Sequence, residues 1–371
     1  MRVPAAQVHI PERDRAMLLK QFEEIMTSGQ LTLGRYTKLF EEAFAERVGV
    51  KHAVAVNSGT SALEIVLRAL DIGESNVIVP TNTFAATAFA VLHAGARLVL
   101  ADVAQNLCMD AESLENTLDP KTKAVILVHI GGLIPQQVKT IREICDDRRL
   151  FLLEDAAHAH GSQFEGLEAG NFGVAAAYSF YPTKVMTSGE GGMIVTNDSH
   201  IGTRALVLRD QGKAAFSSNL HTELGYNWRM SEFHAALGLS QLGRLDEFIK
   251  NRRRVGAVYD AELTDANIRP LQHPAGSRTN YYKYVAFLAE HIDRTELKQH
   301  LKERHEISLS GEVYETPLHL QPIFRGVTGQ RTQAFPMAEN LCKRHICLPV
   351  SAVTSDDTAR YVASALKRET R

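Results

Sequence analysis

The chain has 371 residues, of which 44% are hydrophobic and 23% are charged, and its formal net charge is -2. This is ordinary globular composition, with enough length for one large and one small core and no excess charge for attracting nucleic acid or an anionic membrane. No apolar run reaches the roughly 18 residues that a membrane-spanning helix needs, and the N-terminus lacks the apolar core of a signal peptide. Four scattered cysteines show no CxxC spacing and indicate reduced thiols in a cytoplasmic protein; they are Cys108, Cys145, Cys342 and Cys347.

From about residue 50 to residue 200, short apolar stretches alternate with helical segments. The stretches predict strands at 77–80, 97–103, 123–129, 150–155, 174–180 and 192–197, and the segments between the earlier ones predict helices at 84–93, 112–118 and 138–147. This alternation predicts a mainly parallel sheet that is covered on both faces.

The last third of the chain has a different pattern. A long amphipathic helical connection is predicted over 229–263, and after it come strand-like and helical segments at 281–288, 294–304, 307–314, 337–344 and 355–367. We therefore predict an α/β protein with a large domain over 1–250, including an N-terminal arm, and a small α+β domain over 251–371.

The first motif that carries chemistry is NSGTSALEIVLRAL at 57–70. A short strand there runs into hydroxyl residues and glycine, and then into a helix. The free N–H groups and positive dipole at a helix start form a phosphate cup, and Gly59 lets the backbone approach an anion. Ordinary N-capping by serine or threonine is the alternative and, for this motif alone, the simpler interpretation.

An aromatic residue stands in the loop PTNTFAAT at 80–87, directly after a predicted strand. The side chain of Phe84 could lie flat on the pyridine ring of a bound ligand. A core phenylalanine at the start of a helix is the simpler interpretation of this segment alone.

Two charged residues give the strongest signal. Asp155 ends the apolar run 150–153, so it should lie at the mouth of a buried strand, where a carboxylate can keep a pyridinium nitrogen protonated. Lys184 lies between a strand and a glycine-rich turn in SFYPTKVMTSGEGGM, with apolar neighbours that do not suit a solvated lysine. It is well placed to form a Schiff base with an aldehyde cofactor. The pair predicts an enzyme that uses pyridoxal 5'-phosphate.

Four polar residues near this pair are further candidates. His158 could hydrogen-bond the cofactor's ring oxygen or the Asp155 carboxylate. Ser179 and Thr183 could donate to the phosphate. His158 and His160 could suggest a metal, but no further imidazole or thiolate ligand accompanies them, so we predict no metal site. Capping of a turn is the alternative for His160.

The segment LGYNWRMSEFHAALGLSQL at 224–242 places short-range polar groups before a helix, with Ser231 as a plausible N-cap. Arg229 suits a phosphate or carboxylate because its guanidinium is a planar fork. An ion pair at a dimer interface is the alternative.

In this order, five segments of the chain resemble the DegT/DnrJ/EryC1/StrS family of pyridoxal phosphate-dependent sugar aminotransferases: NSGTSAL, PTNTFAAT, EDAAHAHGS, SFYPTKVMTSGEGGM and LGYNWRMSEFHAA. The resemblance implies the aspartate-aminotransferase (type I) fold. It also implies catalytic roles for Lys184 as the residue that bonds the cofactor, Asp155 as the pyridinium partner and His158 near the ring oxygen. Phe84 would stack on the ring.

The resemblance further implies how the cofactor phosphate is held. Thr60 and Ser61, beside Gly59, would bind it together with the Ser179 hydroxyl. Asn227 would reach the phosphate from the neighbouring subunit, which implies a homodimer with shared active sites.

The implied reaction takes an amino group from an amino acid, L-glutamate by preference, and passes it through pyridoxamine phosphate to the ketone of a nucleotide-linked deoxysugar. Arg229 would lie near the sugar nucleotide, and His319 by the sugar or its diphosphate. Val185, where many members have asparagine, and the unusual segment 129–141 leave the sugar open.

Two alternatives stay open. One is a free cyclic ketone as acceptor, of the inosose or aminohydroxybenzoate-synthase type. The other is a regulatory protein that senses the cofactor, although the first 50 residues show no basic helix-turn-helix.

Overall fold

The computed structural model describes residues 1–215, 217–326 and 335–371. The strands, in chain order, are β1 (His52–Val56), β2 (Asn76–Pro80), β3 (Arg97–Ala101), β4 (Thr122–Val128), β5 (Phe151–Asp155), β6 (Gln163–Phe164), β7 (Leu167–Glu168), β8 (Ala175–Ser179), β9 (Gly192–Thr196), β10 (Ile268–Pro270), β11 (Ser277–Arg278), β12 (Tyr284–Leu288) and β13 (His345–Leu348).

The helices, in chain order, are α1 (Glu12–Ser28), α2 (Arg35–Val48), α3 (Gly59–Ala69), α4 (Ala85–His93), α5 (Ala111–Thr117), α6 (Val138–Asp147), α7 (Ser199–Arg209), α8 (Glu232–Leu242), α9 (Leu245–Glu262), α10 (Arg294–His305), α11 (Pro336–Arg344) and α12 (Asp356–Glu369). Short 3-10 turns lie at Ile130–Gly132, Leu318–Leu320 and Pro322–Phe324.

Seven strands form the central sheet in the order β1-β9-β8-β5-β4-β2-β3. The pairs β2–β3, β2–β4, β4–β5 and β5–β8 are parallel, and β9 is antiparallel to both of its neighbours. The predicted mainly parallel sheet of an α/β fold is therefore confirmed. Because the parallel strands share one carboxyl edge, the loops after β2, β5 and β8 meet there, which is where open α/β sheets bind ligands.

Consecutive residues of the inner strands pack on opposite faces of the sheet. In β5, Leu152 belongs to the core under α1, α2 and α6, whereas Leu153 belongs to the core under α3, α4 and α7. Both leucines are almost fully buried. This two-sided burial explains the continuous apolar runs of the sequence, since neither face of a strand needs polar residues.

A second sheet, in the order β10-β12-β13, is antiparallel. It packs with α10 and α12 around a separate core that includes Tyr259, Leu301 and Leu366. The first residues of the chain join this part, because Val3 forms a bridge with Ile307. The apolar contacts between the two sheets include Val128, Val285 and Cys347.

The structure differs from the sequence prediction in two details, and a third detail concerns the predicted domain boundary. The helical connection over 229–263 is two helices, α8 and α9, separated at Gly243 and Arg244. The segment 307–314 forms only isolated bridges, and the third strand of the small sheet is instead β13. The proposed domain boundary at residue 250 falls inside α9, whose first turns pack in the large core and whose later turns pack in the small one. That boundary stays a prediction.

Candidate active site

A cavity of about 440 Å³ opens at the carboxyl edge of the central sheet. Its wall is formed by the starts of α3 and α4, the ends of β4, β5 and β8, the loops around residues 181–184 and 190–191, and two tyrosines from beyond residue 280. The predicted site residues that line it are Gly59, Thr60, Phe84, Asp155, His158, Ser179, Thr183 and Lys184.

The start of α3 forms one end of the cavity. Ser58 is the N-cap, since its hydroxyl accepts a hydrogen bond from Ser61 N–H at 3.1 Å, so the simpler interpretation of this motif holds. A phosphate-binding role is compatible with this capping, because Ser58, Gly59 and Thr60 also line the cavity. The first-turn N–H groups have no partner inside the helix and leave a positive end towards an anion.

Two details at this end differ from the expected phosphate cup. The Ser61 side chain is buried, and its hydroxyl donates to Asn57 Oδ1 at 2.7 Å, so it serves the cap and does not line the cavity. Gly59 packs against the end of β8, where an added Cβ would lie 2.9 Å from the Cβ of Ser179. The glycine is therefore needed to bring α3 next to the Ser179 hydroxyl.

Asp155 is the last residue of β5, and only 8% of its surface is exposed. Its Oδ2 accepts a hydrogen bond from the Thr87 hydroxyl at 2.7 Å, and its Oδ1 accepts one from Ala157 N–H at 3.2 Å. The carboxylate is thereby fixed at the cavity wall with lone pairs left for a further donor.

Lys184 follows β8 in a turn in which its N–H donates to the Tyr181 carbonyl at 2.9 Å. Burial is the main cause that lowers the pKa of Lys184 from 10.5 to about 8, while Asp155 opposes this shift and Lys283 adds to it. The amine therefore loses its proton more readily than the amine of an exposed lysine, which favours a nucleophilic role.

His158 lies between two protein partners. Its Nδ1 accepts a hydrogen bond from Gly131 N–H at 3.2 Å, which assigns the proton to Nε2, and Nε2 lies 3.3 Å from the Tyr314 hydroxyl. Burial chiefly lowers the pKa of His158 well below 6.5, and Lys184 and Lys283 lower it further. The imidazole is neutral, and it contacts Tyr314 rather than the Asp155 carboxylate.

Phe84 is not a core residue. It is 59% exposed at the N-cap position of α4, lines the cavity and stacks on Tyr314 with ring centroids 5.7 Å apart. An exposed aromatic ring costs free energy that a ligand can recover by covering it. The ring is therefore available to stack on a planar ligand.

Besides Ser61, three predicted residues do not line this cavity. Asn227 is exposed and lies outside the wall. Arg229 pairs with Asp210 of its own chain at 2.5 Å, a partner that neither interpretation of the sequence included. The two ring nitrogens of His319 lie 2.7 Å from the Thr81 hydroxyl and 3.3 Å from a Glu339 carboxylate oxygen, and His319 does not line the cavity.

His160 is not a turn cap. It is buried against Tyr178 and Phe180, and burial lowers its pKa to about 3. Within the part of the chain that the structure describes, no group of three or more histidine, cysteine or carboxylate side chains is arranged to hold a metal ion. In the same residues, no helix has both the length and the apolar character to cross a membrane.

Sequence reasoning missed three residues of the site. Thr87 belongs to the loop segment already singled out and could have been found from its position one helical turn after Thr83. Tyr282 and Tyr314 carry no such signal, because they reach the cavity from segments more than 95 residues beyond Lys184. Only the tertiary structure brings them there.

These residues fit a planar, positively charged heterocycle that carries an aldehyde and a phosphate. A helix start and the Ser179 hydroxyl suit the phosphate, Phe84 offers a flat face, Asp155 offers a fixed carboxylate, and Lys184 offers an amine with a lowered pKa. The fold and the site together define an enzyme of the aspartate-aminotransferase class that uses pyridoxal phosphate, since this is the set of groups the cofactor requires.

The chain belongs to the DegT/DnrJ/EryC1/StrS aminotransferase family, whose profile matches residues 12–367. It is 37% identical over 366 residues to the spore coat polysaccharide biosynthesis protein SpsC of Bacillus subtilis (strain 168), covering 94% of this chain and 93% of that protein. It is 33% identical over 360 residues to dTDP-3-amino-3,4,6-trideoxy-alpha-D-glucose transaminase of Micromonospora megalomicea subsp. nigra, covering 96% and 95%. The crystal structure of DesV from S. venezuelae matches with a TM-score of 0.92 and 31% identity, covering 100% of this chain and 99% of that one. The predicted family, fold, cofactor and aminotransferase activity are confirmed.

Proposed function

We propose that the enzyme takes an amino group from an amino acid, L-glutamate, and passes it to the ketone of a nucleotide-linked keto-deoxysugar. The observation that carries this proposal is the meeting of Lys184, Asp155, Phe84 and the start of α3 around one cavity. The family supports it, and the relative from Micromonospora bears the name of a transaminase for a dTDP-linked amino sugar.

When bound, pyridoxal phosphate supplies an electron-withdrawing ring that stabilises negative charge on a carbon next to the amino nitrogen. In this proposal Lys184 would hold the cofactor through its aldehyde, and its amine would serve as the acid–base group that moves a proton at the reacting carbon of the substrate. Positioned acid–base groups of this kind supply about 10²- to 10⁴-fold in rate. Asp155 holds the proton on the ring nitrogen, because a buried carboxylate favours a cation beside it.

The remaining wall residues orient the ligands. Thr60, Ser179 and the N–H groups at the start of α3 bind the phosphate, and Phe84 covers one face of the ring. Burial raises the pKa values of Tyr282 and Tyr314, so both phenols keep their protons and act as hydrogen-bond donors to substrate hydroxyls. His158 fixes the position of Tyr314 through its neutral imidazole.

We propose further that the active form is a homodimer in the cytoplasm. Asn227 is exposed outside the cavity of its own chain, in a segment whose Leu220 and Leu224 are 63% and 80% exposed, and this apolar surface suits contact with a second copy. Asn227 and Arg229 would then act at the partner's site. Cys108, Cys145, Cys342 and Cys347 are free and buried, as suits a reducing compartment.

The test of the reaction uses the pyridoxamine phosphate form of the purified enzyme. Addition of a nucleotide-linked ketosugar should restore the absorbance of the pyridoxal form, and L-glutamate should reverse the change. Free cyclic ketones of the inosose type serve as the matched comparison. Turnover of only those free ketones would overturn the assignment of a sugar nucleotide, and binding of the cofactor without any turnover of glutamate would support the regulatory alternative.

A further inference from the structure

Lys283 is a charged residue next to the site for which the proposed reaction has no use. It precedes β12, and its N–H donates at 3.2 Å to the carbonyl of Gly131, the same residue whose N–H donates to His158. Its side chain is partly buried. Enclosing a lysine is costly unless the charge has a purpose or a partner.

Two lysines contact the same tyrosine ring. The Nζ of Lys283 lies 5.3 Å from the ring centroid of Tyr282, and the Nζ of Lys184 lies 5.0 Å from that centroid. Both distances are within the range of cation–π attraction. The two nitrogens are therefore no more than about 10 Å apart, a distance over which charges inside a protein still interact.

No carboxylate neutralises Lys283 among the residues that the structure describes, since no acidic oxygen lies within 4.0 Å of its Nζ. Glu312, an acid whose charge acts on Lys283, is held by Lys298 through contacts of 2.8 and 2.9 Å. Among the described residues, the charged and titratable groups that interact with the two lysines include Asp155, His158, His160, Arg252, Tyr282, Lys298, Glu312 and Cys347.

We propose that Lys283 is a positioning residue for the amino-transfer reaction: its fixed charge beside Tyr282 favours the uncharged form of the Lys184 amine. The inference rests on the covalent role proposed for Lys184. Only an uncharged amine can form the nitrogen–carbon bond to the aldehyde, whose oxygen leaves as water, and only that form can accept a proton from the substrate.

The pKa shifts agree with this geometry. Lys283 is one of the causes that lower the pKa of Lys184, after burial, and the pKa of Lys283 is itself lowered, chiefly by burial. For two unit charges about 10 Å apart at an effective dielectric constant of about 20, the expected effect is about one pKa unit. Removal of the Lys283 charge should therefore raise the midpoint at which Lys184 loses its proton.

The test measures Lys184 in the cofactor-free protein. Competitive labelling with acetic anhydride from about pH 6 to about pH 10, followed by mass spectrometry of the peptide that contains Lys184, gives the midpoint of the uncharged amine. We expect Lys283→Met to raise this midpoint by about one pH unit, whereas Lys283→Arg, which keeps the charge, should change it by less than about 0.3. Lys302→Met, at an exposed position of α10, is the matched control and should leave it unchanged.

Two results would overturn the inference. One is a midpoint for Lys283→Met within about 0.3 of the parent value, in a variant that melts like the parent. The other is a shift for Lys283→Arg as large as that for Lys283→Met. If the methionine variant does not fold, Lys283→Gln is measured against the same two criteria. Because the labelling needs neither cofactor nor substrate, its outcome is independent of whether the proposed sugar nucleotide is turned over.

Discussion

Glu154 and Asp155 are consecutive residues of β5, yet their carboxylates lie in opposite environments. Glu154 faces the core and accepts hydrogen bonds from His129 Nε2 and from the N–H groups of Gly170, Phe172 and Gly173, at 2.7 to 2.8 Å. Asp155 faces the cavity and, within the described part of the chain, accepts two hydrogen bonds, from the Thr87 hydroxyl and from Ala157 N–H.

The difference shows how one strand end serves two purposes. The four donors around Glu154 use its lone pairs, so this acid fixes the loop 170–173 and has no capacity for a ligand. Asp155 keeps that capacity, and Lys184 shares its cavity. We infer that the core-facing acid contributes stability and the cavity-facing acid contributes chemistry, and four substitutions test this.

The largest effect is expected at the cavity. Lys184→Ala should retain some pyridoxal phosphate, because the phosphate and ring contacts remain, but should lose the half-reaction with glutamate by about 10⁴-fold. Stopped-flow absorbance of the bound cofactor measures this, with Lys302→Ala as the control. Normal turnover in the Lys184 variant would remove the role assigned to that lysine.

Asp155→Ala should weaken cofactor binding and lower the amino-transfer rate by about 10³-fold, because the ring nitrogen loses its counter-charge. The free energy of unfolding of the cofactor-free protein should change by less than about 1 kcal/mol, since few hydrogen bonds are lost. Steady-state kinetics and thermal melts give the two quantities. Unchanged kinetics would contradict the role of Asp155.

Glu154→Gln should have the opposite effect, with a loss of stability in place of a loss of amino transfer. An amide presents only one acceptor oxygen, so at least two of the buried N–H donors lose their partner, and the protein should be destabilised by about 3 kcal/mol. Chemical denaturation of the cofactor-free protein measures the loss. A Glu154→Gln variant that kept its stability but lost amino transfer would contradict the structural role assigned to Glu154.

Phe84→Leu should have the smallest effect. The side chain is largely exposed, so the melting temperature should not change, but the loss of an aromatic face should weaken cofactor binding by about fivefold. Fluorescence titration of the cofactor-free protein with pyridoxal phosphate tests this. An equal affinity in the two proteins would show that Phe84 does not cover the ring.

Much of the architecture follows from local patterns. The apolar runs that became β4 and β5 are continuous because both faces are buried, and this property is visible in the sequence. The small sheet was harder to predict, because β13 directly follows α11 and the segment 307–314 has strand-like composition without forming more than isolated bridges.

The residues of the candidate site also fall into those that could be predicted from the sequence and those that could not. Asp155 and Lys184 could be recognised because one ends an apolar strand and the other lies in an apolar segment just after a strand, where a charge is unexpected unless it is used. The pairing of Arg229 with Asp210, the turning away of His319 and the commitment of the Ser61 hydroxyl to Asn57 depend on side-chain orientation, which no residue spacing encodes.

The sequence by itself therefore determined the sheet, the family and the two charged residues at the strand ends, because these depend on burial along single segments. Only the tertiary structure decided that Tyr282 and Tyr314 share the cavity of Lys184 and that Lys283 contacts the same Tyr282 ring. These residues lie in segments outside the central sheet and far from Lys184 in the sequence, and only tertiary packing brings them close to its amine.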